Sequence, residues 1–164
     1  MAELVDQRPA PDGEPKPPWC CGSARFEEGL DVDGHTLIIA VSCRFGSLGG
    51  EMQALLDTGA QWSVLGGEMA EALMKEGWEA HEEASKDVSM STRYGLLTGR
   101  LHLVEVTLLA DEGDALHVQS TVLLVPKWPG PPVLGYGGFL ERIRIGLDPG
   151  NSLKGPRLFF GSDG

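Results

Sequence analysis

Leu55-Leu56-Asp57-Thr58-Gly59-Ala60-Gln61-Trp62-Ser63-Val64-Leu65 is the stretch that decides the fold of this chain. Residues 51–56 are rich in apolar side chains and predict a strand that runs directly into Asp57-Thr58-Gly59. The triplet is therefore expected at the end of a strand. By itself it also suits an ordinary tight turn, in which Asp and Gly have their usual roles, so the residues around it must decide.

A second motif lies downstream, where Val133-Leu134-Gly135 is followed by Tyr136-Gly137-Gly138 and a short segment that suits a helix. In this order the two segments resemble the active-site elements of the retropepsins, the single-domain aspartic proteases of retroviruses and their cellular relatives. The resemblance covers about residues 30–161 and is closest to retropepsin-like proteins of bacteria. It implies an all-β, closed β-barrel-like acid-protease fold with one or two short helices.

The resemblance also implies roles for individual residues. Asp57 would be the catalytic acid, and the Gly59 amide would help to hold its carboxylate. Thr58 would use its hydroxyl to link two active-site loops at a dimer axis, with Ala60 next to it in the same loop. The second motif would consist of Val133, Leu134 and Gly135.

The chemistry of peptide hydrolysis supports a pair of such aspartates. Without a metal or a nucleophile, one group must deprotonate water and another must protonate the substrate, and two carboxylates that share one proton can do both. The chain contains a single Asp-Thr-Gly, no Asp-Ser-Gly and no visible internal repeat. The second Asp57 is therefore expected from another subunit across a two-fold axis, and the sequence predicts a homodimeric aspartic endopeptidase.

Residues 90–100 are where the resemblance places a β-hairpin flap over the substrate. Gly95 and Gly99 are expected to permit a mobile tip, although an ordinary hairpin turn with an exposed Tyr94 remains an alternative. Substrates would be extended, mainly apolar peptides that add a strand to the site. The flap and substrate-binding residues are then Tyr94, Gly95, Leu96, Leu97, Thr98 and Gly99.

One departure from the family concerns the dimer. Many retropepsins pair an Arg after the second motif with an acid after the active-site Gly, and here Tyr136 and Gln61 occupy those places. Both charges are missing together, and a hydrogen bond from the Tyr hydroxyl to the Gln amide is one replacement. A catalytically silent protein of the same fold, acting as a peptide-binding or scaffolding module, is therefore the alternative function.

The composition limits the partners. Asp and Glu number 24 against 13 Lys and Arg, and the resulting formal charge of -11 disfavours nucleic acid and anionic membranes. The start of the chain lacks the pattern of a signal peptide, and no apolar stretch reaches about 18 residues, which predicts a cytoplasmic protein. The three cysteines show no metal-ligand spacing, so neither a metal nor a cofactor is expected.

The remaining patterns concern the organisation of the chain. Residues 1–24 are predicted to be a flexible Pro-rich tail, and residues 25–164 the protease domain. Asp33-Gly34 indicates a hairpin turn. Residues 68–76 predict a helix that Gly77 would end. The tryptophans at 62, 78 and 128 and the histidines at 81, 102 and 117 have no catalytic spacing and are expected in the core or on the surface.

Overall fold

A computed structural model describes residues 16–30, 37–80, 87–150 and 155–162. These residues form mostly strands, with one α-helix among them, which confirms the all-β prediction. The strands are β1 (Gly22–Arg25), β2 (Glu27–Leu30), β3 (Leu37–Phe45), β4 (Met52–Leu56), β5 (Ser63–Gly66), β6 (Asp87–Thr92), β7 (Gly95–Leu108), β8 (Glu112–Gly113), β9 (Leu116–Val125), β10 (Val133–Leu134), β11 (Arg144–Asp148) and β12 (Arg157–Gly161). Helix α1 is Gly67–Ala80, and a 3-10 helix spans Leu140–Arg142.

The larger sheet closes on itself. Within the described residues its strand order is β2-β3-β4-β10-β5-β9-β7-β6, and β3 also pairs with β7. That extra pairing places Cys43 opposite Leu108 and Phe45 opposite Val106. Strands β3, β4, β10, β5, β9 and β7 therefore form a closed ring, while β2 and β6 extend beyond it.

The second sheet joins the two ends of the described chain. Its order is β11-β12-β1-β8 in the described part of the protein, and Ser23 lies opposite Phe159 on β12. The predicted tail is therefore wrong for residues 22–24, because they pair with a distant strand and Ala24 is only 4% exposed. Residues 1–15 and the predicted Asp33-Gly34 turn lie outside the described residues.

Helix α1 packs against β5 and β9. Its inner face contributes Ala70 and Leu73 to the main hydrophobic cluster, with Met69 partly buried beside them. The helix is present as predicted, but it continues past Gly77 to Ala80. A glycine inside a helix costs only about 1 kcal/mol, so Gly77 alone does not have to end it.

The core has two parts on opposite faces of the sheet. The larger cluster contains most of the buried side chains, including those of α1. The smaller cluster consists of Val64, Leu123, Val125 and Val133. Trp62, Met90, Leu97 and Trp128 are among the partly buried side chains packed against it, and this smaller cluster lies beneath the candidate site.

Candidate active-site cleft

The two sequence motifs meet through a pair of parallel strands. Strand β10 runs parallel to β4, with Val133 opposite Leu55 and Leu134 opposite Leu56. The pairing continues past the end of β4, where the Asp57 amide donates to the Leu134 carbonyl at 3.0 Å. The end of β4 and the backbone of Asp57 are thus held by a segment almost eighty positions away in sequence.

The Asp57 side chain is oriented by its own loop. Its Oδ1 accepts hydrogen bonds from the Gly59 amide at 2.9 Å and the Ala60 amide at 3.2 Å. Asp57, Thr58 and Gly59 are all exposed. In the described part of the chain Oδ2 has no hydrogen-bond partner, so the backbone holds one carboxylate oxygen and leaves the other available.

Main-chain hydrogen bonds lock the Asp57 loop to the second motif. The Tyr136 amide donates to the Ala60 carbonyl, and the Gly137 amide donates to the Gln61 carbonyl, each at 2.8 Å. The Gly135 amide donates to the buried Ser63 hydroxyl at 3.1 Å. Two loops that are far apart in sequence are therefore joined at three points.

Gly135 sits at the closest approach of these loops. A β-carbon added there would lie 2.3 Å from the Trp62 carbonyl oxygen and 2.9 Å from that of Ala60. Contacts this short are not tolerated, so only glycine fits this position. The close packing of the two loops therefore explains the glycine at position 135 without any assumption about function.

The Tyr136 and Gln61 side chains, which replace a charged pair, are both exposed. In the described residues they form no hydrogen bond with each other. The predicted replacement bond is therefore absent from the single chain, and its two loops are joined through the backbone instead.

Strands β6 and β7 form the predicted hairpin. Met90 lies opposite Leu97, and Thr92 lies opposite Gly95. Residues 93 and 94 make the turn, which is closed by a hydrogen bond of 2.9 Å from the Thr92 hydroxyl to the Gly95 carbonyl. Gly95 has a φ of 100°, a conformation that favours glycine.

Gly99 is not at the hairpin tip. It lies inside β7, and a β-carbon there would be 2.5 Å from the Leu124 carbonyl oxygen of β9. The expectation that Gly99 gives the tip mobility is wrong, because the residue instead lets two strands approach closely. Leu96, next to the turn, is 73% exposed, as expected for an apolar residue at the tip.

A cleft of about 640 Å³ separates the Asp57 loop from the hairpin. One wall contains Leu55, Asp57 and residues 59–62, and the opposite wall is formed by residues 88–93. Within one chain the hairpin therefore faces the cleft with β6. The residues that the sequence suggested for the flap and for substrate binding do not line this cleft, and all but the first belong to β7: Tyr94, Gly95, Leu96, Leu97, Thr98 and Gly99.

The lining of the cleft contains an aromatic residue whose role the sequence did not reveal. Trp128 lines the cleft together with Pro131 and Val133, and its indole N–H donates to the Pro131 carbonyl at 2.8 Å. Trp62 and Met90 add further apolar surface. The available signal was a large aromatic side chain in a Pro- and Gly-rich loop directly before the second motif.

Other reactive side chains lie away from the cleft. Cys43 is buried in the main cluster, where burial raises its pKa to about 12, so it remains a thiol at neutral pH. Burial, assisted by Arg100, lowers the pKa of His102, which is not part of the cleft lining. Over residues 16–30, 37–80, 87–150 and 155–162, no cluster of three or more His, Cys, Asp or Glu is suited to a metal ion.

No family model matches the chain, and no curated protein matches it. In the part of the chain that the structure describes, every helix is too short or too polar to cross a membrane.

Proposed function

We propose that this chain is an aspartic endopeptidase of the retropepsin type that acts as a homodimer. The observation that carries the proposal is the Asp57 loop: two backbone amides hold one carboxylate oxygen, the other has no hydrogen-bond partner in the described residues, and Asp57 lines a cleft of about 640 Å³. The hydrogen bond from the Asp57 amide to Leu134 fixes the start of this loop. Hydrogen-bond donors that position a carboxylate in advance are what acid and base catalysis requires.

In the proposed reaction, Asp57 and the partner's Asp57 share one proton and bind a water molecule between them. The ionised carboxylate removes a proton from the water as it attacks the peptide carbonyl, and the protonated one donates to the carbonyl oxygen. The first carboxyl group then gives its new proton to the amide nitrogen as the C–N bond breaks, and the second carboxylate takes a proton back as the carbonyl forms again. The exposure of Asp57 in a single chain fits a group that is covered only when a second copy and a substrate are present. Catalysis would then depend on protein concentration.

An extended peptide suits the edge strand that lines the cleft. Strand β6 is the last strand of the larger sheet, and in the described residues it pairs only with β7. Its outer edge therefore has main-chain groups available for an added strand. Side chains of the peptide would pack against Trp62, Met90 and Trp128, which favours large apolar residues.

The second candidate function is a peptide-binding module without catalysis. It is favoured by the fact that one chain already forms both walls of the cleft, whereas Tyr136 and Gln61 provide no side-chain bond between the loops. Such a protein would bind extended peptides as a monomer and leave them intact.

The deciding experiment compares the Asp57→Asn variant with the unchanged protein on a peptide library, with Asp114→Asn as a matched control. Asp114 is an exposed residue outside the cleft. We expect Asp57→Asn to lower the cleavage rate by about 10²- to 10⁴-fold while peptide binding is retained. The control should cleave normally.

Cleavage that is unchanged in Asp57→Asn would exclude the proposed mechanism. Peptide binding by both proteins with no cleavage by either, at any protein concentration, would favour the binding module.

A further inference from the structure

Strand β11 is an edge strand of the second sheet as the described residues form it. Within the described ranges its only partner strand is β12, and the register places Gly146 opposite Phe159. An unpaired strand edge is a template for pairing with another chain. The edge is five residues long, with the sequence Arg-Ile-Gly-Leu-Asp.

The hydrogen bonds of β12 show which groups of β11 face outward. The Phe26 amide donates to Pro156, and the Cys21 amide donates to Phe160, so the even-numbered carbonyls point toward β1. In antiparallel sheets neighbouring residues alternate between the two sides. Phe159 therefore bonds to Gly146, while Ile145 and Leu147 direct their N–H and C=O groups toward the open edge.

We infer that β11 pairs antiparallel with β11 of a second copy, about a two-fold axis at Gly146. In this register Ile145 lies opposite the partner's Leu147, so the outward N–H and C=O groups of both strands are satisfied. Arg144 lies opposite the partner's Asp148, and Asp148 opposite the partner's Arg144. The sequence is complementary to itself in charge, and the five donors of a guanidinium can serve more than one acceptor.

The side chains on both faces suit this pairing. Leu147 is 50% exposed, and on the same face of β11 Ile145 packs against the main core. The partner's Ile145 would therefore cover Leu147 and extend the apolar face across the axis. On the other face Trp19 lies over Gly146, 3.6 Å from where a β-carbon would be, which leaves a flat surface at the axis.

This inference rests on the homodimer of the proposed function and names the strand through which that dimer forms; the pairing of β11 itself requires no cleavage and does not involve Asp57. The two can fail separately. Loss of cleavage in Asp57→Asn tests the proposed catalytic mechanism, whereas cross-linking and sedimentation measure only how two copies pair.

Single cysteines test the register directly. The background carries Cys20→Ser and Cys21→Ser. In the Gly146→Cys variant, the thiol of one chain would lie opposite the thiol at position 146 of the second chain. The two Cα atoms would be about 4.5 Å apart, a distance that a disulfide can span. The added β-carbon meets Trp19 only at ordinary contact distance. In Leu147→Cys the two copies of residue 147 would be roughly 8 Å apart, too far for a disulfide. We expect mild oxidation to cross-link Gly146→Cys and not Leu147→Cys.

A proline variant tests the open edge. The Leu147 amide faces outward, so Leu147→Pro removes a bond of the dimer and is tolerated at an edge in the single chain. Sedimentation should show dimers for the unchanged protein and for Leu147→Val, and monomers for Leu147→Pro with an unaltered circular dichroism spectrum. Equal cross-linking of both cysteine variants, a monomeric unchanged protein, or a dimer that persists in folded Leu147→Pro would overturn the inference.

Discussion

The Tyr94 ring meets the Trp128 ring edge-on, with centroids 5.5 Å apart and an angle of 87° between the planes. This contact joins the hairpin turn to the loop that precedes β10. The same loop is bonded to the strand before Asp57, because the Leu55 amide donates to the Pro132 carbonyl at 2.9 Å. The hairpin and the Asp57 loop are thus connected by one continuous set of contacts around the cleft.

Replacing Tyr94 should loosen the hairpin tip. An edge-to-face aromatic pair contributes about 0.5–1.5 kcal/mol, so Tyr94→Leu should raise the open population of the tip by about two- to tenfold. Hydrogen exchange of the amides of residues 93–97 measures this change. Tyr94→Phe keeps the ring and is the control; equal exchange in both variants would show that the contact with Trp128 does not hold the tip.

Replacing Gly135 should weaken the whole fold near the site. The β-carbon of Gly135→Ala would lie 2.3 Å from the Trp62 carbonyl, and such overpacking costs about 1–3 kcal/mol or more. Urea unfolding measures the loss. In Gly49→Ala the added carbon meets no atom within 4 Å, so this control should retain its midpoint, and a similar midpoint for Gly135→Ala would contradict the close approach.

Two of the three buried serines in the described residues, Ser63 and Ser120, should respond differently to removal of their hydroxyls. Ser63→Ala leaves the buried Gly135 amide without its acceptor and should lower the free energy of unfolding by about 1–3 kcal/mol. The Ser120 hydroxyl is equally buried and has no partner in the described residues, so Ser120→Ala should be neutral or stabilising. Chemical denaturation of both variants tests this, and the reverse order of stabilities would refute the assignment of these bonds.

The second sheet should lose one contribution to its stability in acid. The hydrogen bond and charge of Arg157, 2.8 Å away, lower the pKa of Glu112 below its ordinary value of 4.5. A carboxylate whose pKa is lower in the folded state stabilises the fold above the unfolded-state pKa, and this contribution is lost as the pH falls through the folded-state pKa.

The corresponding measurement is the urea midpoint of Glu112→Gln and of the unchanged protein as a function of pH. Glu112→Gln should be the less stable protein at neutral pH, by a small margin because Glu112 is exposed to solvent. The difference should disappear at strongly acidic pH. A difference that stays constant with pH would mean that the charge of Glu112 is not its cause.

Local patterns in the sequence determined several elements of this protein. The apolar residues before Asp57 predicted a strand, the helix formers after Gly67 predicted α1, and the glycine after Tyr94 predicted a hairpin turn, and each is present. These predictions depend on propensity and turn chemistry, which act between residues close together in sequence. The resemblance to retropepsins then proposed Asp57 and residues 133–135 as one site.

Only the tertiary structure decided how these elements meet. The parallel pairing of β4 with β10 places Leu134 beside the Asp57 amide, and the pairing of β1 with β12 brings residues 22–24 into the domain. The structure also places β6 rather than β7 along the cleft and puts Trp128 in its lining. The pairing of distant strands and the register of that pairing determine which residues face each other. Because the paired strands are far apart in the chain, the local sequence of one strand does not identify its partner.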